Sequence, residues 1–171
     1  MGALLDRLKT QGRTSYKVLA IDPGEHVGMA TVCVGAQPFI NVDLAQISGL
    51  GTVNVNTVQG PEASIVRAAH LIEETISAQT PDIVILESYR IYSWKAKEHT
   101  WASLFTPRLI GAIEYICDRC QVVLRKQSPQ QRTFVTDDKL KAWDLYDASV
   151  GIHHARDALR HAIVHLLFGD L

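Results

Sequence analysis

The chain has 171 residues, of which 47% are hydrophobic and 20% charged, as expected for one soluble globular domain with a sizeable core. No apolar run reaches the ~18 residues a membrane span needs, and the first seventeen residues hold no stretch apolar enough for a secretory signal. A net charge of -1 excludes a polycation, so any nucleic-acid contact has to come from a local basic surface around an acidic centre.

The expected setting is intracellular and reducing. Cys33, Cys117 and Cys120 are odd in number and give no disulfide framework. Cys117 and Cys120 form a C-x-x-C, read here as two small apolar residues one turn apart at a helix end. No second Cys or His pair stands at zinc-site spacing.

Residues 1–15 are expected as an N-terminal arm, in which Leu4, Leu5 and Leu8 have the spacing of a short helix. Residues 16–171 then form the domain. Val18-Leu19-Ala20-Ile21, cut short by Asp22-Pro23-Gly24, reads as a buried central strand. Residues 27–34 pair back as a hairpin, 38–47 supply a third strand, and the Gly-, Asn- and Thr-spaced stretch 49–60 reads as a loop. Pro61 suits a first helical turn, and Ile65, Ala68, Ala69, Leu71, Ile72 and Ile76 form a helical stripe to about Ala78. Ile83 to Leu86 form a second buried strand ending at Glu87. A long helix is expected over 98–119, a short strand from Gln121 to Leu124, and a short helix from Lys139 to Leu145. The last helix, from His153 to Phe168, has Ala155, Ala158, Leu159, Ala162 and Leu166 on one face. Three strands, helix, strand, helix, strand, helix is the order of a five-stranded mixed α/β sheet with helices on both faces.

Two apolar strands end in a carboxylate, Asp22 after VLAI and Glu87 after IVIL. A buried acid is costly unless paired or metal-bound. Asp157 stands in the first turn of the last helix, and His154, three residues earlier, shares its face. Brought together, Asp22, Glu87, His154 and Asp157 form a site of hard oxygens plus one imidazole, suited to Mg²⁺ or Mn²⁺ and not to Zn²⁺. Two such ions ~3.5–4 Å apart clamp the attacking and leaving oxygens of a phosphodiester. Taken singly, each residue also has an ordinary reading: a turn aspartate, a solvated strand end, a helix N-terminal acid and a surface histidine.

The string VLAIDPG with Gly28-Met29-Ala30, then IVILE, then H-x-x-D-A at the last helix, with PRLIGAIE in the middle helix, resembles the RuvC family of Holliday junction resolvases. The likeness spans residues 16–168 and is nearest to the RuvC-like resolvases carried by bacteriophages, which would place the protein in a bacterial host's cytoplasm. It implies an RNase H-like fold, a homodimer, and two divalent ions per site held by Asp22, Glu87 and Asp157. His154 falls where relatives carry Asp or His. The segment 128–136 resembles one whose lysine approaches the scissile phosphate, with Arg132 in that lysine's place. Lys139 and Lys141 resemble a second basic segment on the DNA path. Where relatives insert an aromatic residue into the junction, this chain has Arg90 flanked by Tyr89 and Tyr92. The cluster from Tyr89 to Phe105 suits base stacking with phosphate contact or, equally, a dimer interface.

The activity implied is metal-dependent hydrolysis of four-way junctions and other branched DNA, leaving 5′-phosphate and 3′-hydroxyl ends. Three alternatives stay open. They are a related nuclease for flaps, forks or structured RNA, a domain that binds branched DNA without cutting, and a fragment of an actin-like ATPase.

Overall fold

The structure is a computed structural model that describes residues 2–35, 40–48, 61–89 and 104–170. Five strands form one sheet in the order β3-β2-β1-β4-β5. They are β1 (Ser15–Asp22), β2 (Val27–Gly35), β3 (Ile40–Ile47), β4 (Ile83–Glu87) and β5 (Val123–Gln127). The first three form an antiparallel meander, and β4 and β5 run parallel to β1. β1 and β4 are almost wholly buried, as expected for central strands covered on both faces. The α/β mixed sheet expected from the element order is therefore present.

Side chains alternate across the sheet and sort into two cores. Leu19, Ile21, Val84 and Leu86 face α2 (Pro61–Gln79) and α3 (Phe105–Arg119), where Ile72, Leu109 and Ile113 complete one layer. Val18, Ala20, Ile83 and Ile85 face α5 (His153–Phe168), whose Ala158, Leu159 and Ala162 complete the other. The apolar stripe anticipated for the last helix is buried in full at Ala155, Ala158, Leu159, Ala162 and Leu166. α5 lies close enough to β2 that a Cβ on Gly28 would overlap the backbone of His154 and Ala155. That glycine lets the start of α5 rest directly on the sheet, opposite Asp22 in the β1–β2 register.

Several boundaries differ from expectation. β5 begins at Val123, because Gln121 adopts a left-handed φ of 54° and the Val122 amide bonds back to Cys117, extending the turn after α3. α4 spans Asp137–Ala142, two residues early, because Thr136 caps it by accepting from the Lys139 amide. α3 starts at Phe105; the earlier part of the expected helix, and the loop 49–60, lie outside the described residues. Cys117 is buried at the end of α3, where desolvation pushes its thiol up to about 11. Among the described residues no helix is long and apolar enough to cross a membrane.

Residues Gly2–Thr10 form α1. Leu8 is buried in the α5-side core, and Arg7 donates to the carbonyls of Leu166, Leu167 and Gly169, the open end of α5. Beneath this contact lies His165, 1% exposed, with Nε2 3.1 Å from the Tyr16 hydroxyl and Nδ1 without a hydrogen bond among the described residues. Burial, with a smaller push from Arg125 and Arg7, lowers its pKa to about 4.

Two predictions follow from this packing. Gly28→Ala should cost about 3 kcal/mol or more in thermal unfolding, because backbone has to move. Gly35→Ala, at a position with open space, should be near neutral. The second concerns acid. His165 takes up its proton in the unfolded chain near the ordinary histidine range but in the folded chain only near 4. Its contribution is therefore complete above the ordinary range and is lost as pH falls toward 4. Between pH 7 and pH 4.5 the native protein should lose roughly 2 to 3 kcal/mol more stability than His165→Gln.

Candidate active site

The sheet register assembles the site. Ile21 pairs with Leu86 across parallel β1 and β4, so Asp22 and Glu87 follow one step later at the same edge. Both continue the parity of Ala20 and Ile85, which places both carboxylates on the α5 face. β5 adds Gln127, in register with Glu87. Above them, α5 presents His154, Asp157 and His161, which at spacings of three and four share one helical face.

Asp22 is 6% exposed, and its Oδ2 lies 2.9 Å from His154 Nδ1. His154 in turn stacks on the exposed ring of His26, from the turn after β1, at a centroid distance of 5.5 Å. Glu87 Oε2 lies 2.7 Å from His161 Nε2 and 2.8 Å from Arg132 Nη1. Asp157 is held by Arg160 at 2.5 Å on Oδ1 and by Arg132 at 3.5 Å on Oδ2. Arg160 also pairs with Asp137 at the start of α4.

Arg132 reaches this position from a 3₁₀ turn, Pro129–Phe134. The turn is fixed by Pro129 at its first position and by a reciprocal Ser128–Gln131 capping box. Arg132 thus stands among the carboxylates as their internal cation. Lys139 and Lys141 are exposed on α4; Lys139 donates to the Phe134 carbonyl and Lys141 lies over the Tyr146 ring at 5.0 Å. Tyr89 is exposed just beyond β4, while Arg90 and Tyr92 lie outside the described residues.

The electrostatics separate the two strand-end acids. Burial, together with the negative charge of Glu87, raises the Asp22 pKa against the lowering effect of His154. Burial pushes Glu87 up as well, but the His161 hydrogen bond and the charge of Arg132 outweigh it, and its pKa is lowered. Among the described residues no hydrogen-bond donor meets Asp22 Oδ1 or Glu87 Oε1.

The donor set therefore fits a hard divalent cation in kind: three carboxylates, two of them with an oxygen left over, beside an imidazole. It does not form a closed cage. Among the described residues no three His, Cys, Asp or Glu side chains stand together at metal-holding geometry, and the Arg132 guanidinium lies between Glu87 and Asp157.

Sequence reasoning missed His161 and Gln127. His161 is 0% exposed and joins Gln127 to Glu87, its Nδ1 lying 2.7 Å from Gln127 Oε1 and its Nε2 2.7 Å from Glu87 Oε2. The available signal was its place four residues after Asp157, on the face of α5 that carries His154.

The opposite pKa directions give opposite expectations in metal-free buffer at neutral pH. Asp22 has a raised folded pKa, so its charge opposes folding above that pKa, and Asp22→Asn should raise the melting temperature measured in EDTA. Glu87 has a lowered folded pKa, so its charge favours folding, and Glu87→Gln should cost about 1 to 2 kcal/mol. A lower melting temperature for Asp22→Asn would contradict the first expectation.

Neither a protein-family model nor a curated protein matches the chain in sequence. Solved structures do match in fold. RuvC of Thermus thermophilus in complex with a Holliday junction substrate superposes with a TM-score of 0.69 at 17% identity, covering 89% of this chain and 94% of that one. A second Thermus thermophilus RuvC structure gives 0.65 at 18% identity with the same coverage. Fowlpox virus resolvase with its Holliday junction DNA gives 0.52 at 13%, covering 88% of this chain and 97% of that one. The chain thus shares the RuvC fold, an RNase H-like architecture, over almost its whole length.

Proposed function

We propose that this protein is a divalent-metal-dependent endonuclease acting on four-way and other branched DNA. The observation that carries the reading is the convergence of Asp22, Glu87 and Asp157, from two strand ends and one helix, at one edge of the sheet. Likeness in fold to resolvases solved with Holliday junction DNA supports the substrate class.

In this reading Asp22, Glu87 and Asp157 hold two Mg²⁺ or Mn²⁺ ions, with His154 completing the site or handling a proton beside Asp22. When bound, the ions supply the positive charge that favours in-line attack of water on a phosphodiester and stabilises the charge that develops. Arg132 leaves the carboxylates for the scissile phosphate, exchanging one anionic partner for another. Lys139 and Lys141 contact the backbone of the DNA arms. Tyr89, Arg90 and Tyr92 meet the bases or phosphates near the branch point. A homodimer makes paired nicks, and the products carry 5′-phosphate and 3′-hydroxyl ends.

The test is cleavage of an immobile four-way junction beside flaps, forks and structured RNA, in Mg²⁺ and in Mn²⁺. Paired cuts in the junction are expected, with Asp22→Asn slower by at least ~100-fold. An Asp22→Asn protein that cuts at the native rate would end this reading. Preference for flaps, forks or RNA would replace the substrate while leaving the chemistry.

A further inference from the structure

The side chain that best explains how one carboxylate is aimed is not itself a candidate ligand. His161 sits in the middle of α5 among Ala158, Leu159 and Ala162, all fully buried. An apolar residue would satisfy packing there, and an imidazole without partners in such a place is costly. Both of its nitrogens are engaged, Nε2 with Glu87 Oε2 and Nδ1 with Gln127 Oε1, each at 2.7 Å. The two partners are neighbours across parallel β4 and β5, so α5 is stapled to two adjacent strand ends through one ring. The Gln127 amide can turn to offer its carbonyl or its NH₂ group, so the ring finds a partner there with Nδ1 protonated or bare.

The Glu87 carboxylate sits at the end of three rotatable side-chain bonds. Its Oε2 accepts from His161 and from Arg132, and among the described residues Oε1 accepts from neither. The two donors differ in permanence. Arg132 is about one-third exposed on a short 3₁₀ turn, whereas His161 has no solvent access. If Arg132 departs, His161 still fixes the rotamer.

We propose that His161, braced by Gln127, is a positioning residue that holds Glu87 by Oε2 so that Oε1 is the oxygen offered to a divalent cation. This rests on the metal-dependent reading above. Neighbours that orient a metal ligand in this way typically change metal affinity by about 10- to 100-fold when removed.

The experiment is Mn²⁺ binding without DNA, followed by loss of the free-ion electron paramagnetic resonance signal, with thermal unfolding in EDTA run in parallel. His161→Leu removes the donor, while His161→Gln places an amide NH near the former Nε2. Expected are ~10- to 100-fold weaker binding for His161→Leu and recovery to within ~3-fold for His161→Gln. Gln127→Leu should fall between them. A merely structural histidine would lower the melting temperature in both His161 variants and leave affinity unchanged in the folded protein. A folded His161→Leu that binds Mn²⁺ like the native chain overturns the proposal. Should that variant not fold, Gln127→Leu decides, and unchanged affinity overturns the proposal in the same way. Native protein that takes up no Mn²⁺ overturns the metal reading itself, which is a different result from native binding that the variants leave untouched.

Discussion

Three carboxylates brought to one edge of a sheet repel one another, and burial makes the repulsion worse by removing the water that would screen it. The architecture answers with positive charge and hydrogen-bond donors placed against each of them. His154 serves Asp22, His161 and Arg132 serve Glu87, and Arg132 and Arg160 serve Asp157. The local structure around the site supplies these groups. The capping box at Ser128 and Gln131 fixes the turn that carries Arg132, and Asp137 steadies Arg160 from the start of α4. The cost of gathering the acids is balanced by groups that either stay, as His161 does, or are exposed enough to leave.

Much of this was legible in the sequence because it depends on short-range pattern. Two apolar tetrads, each ended by an acid, announce buried strands whose last residues face a common edge. The i, i+3 pair His154 and Asp157 marks the helix face that the structure turns toward Asp22 and Arg132. The stripe from Ala155 to Leu166 gives the packing side of α5 without knowledge of its partner. The five-stranded mixed sheet follows from element order and the preference for short, right-handed connections.

The remainder depended on register and long-range contact, which local pattern does not encode. Gln127 becomes meaningful only when β5 is seen to run past the expected end at Leu124 as far as Gln127, which pairs it with Glu87. His161 looked like one of several helical histidines, since its partners lie 74 and 34 residues away. Arg132 was expected in the place of a lysine that approaches the scissile phosphate, and its pairing with Glu87 and Asp157 is what a polar loop does not disclose. α4 begins at Asp137 and not at Lys139 because Thr136 caps it.

Helix α5 is gripped at two distant points. At its start, Gly28 lets the backbone of His154 and Ala155 lie on β2; at its finish, Arg7 of α1 takes up three carbonyls around Leu166 to Gly169. A rod of 16 residues, about 24 Å long, clamped near both ends can neither slide nor roll without breaking one hold. His154, Asp157 and His161 ride on that rod. Their alignment with the strand ends therefore rests on both holds, the one at Gly28 and the one made by Arg7 of α1.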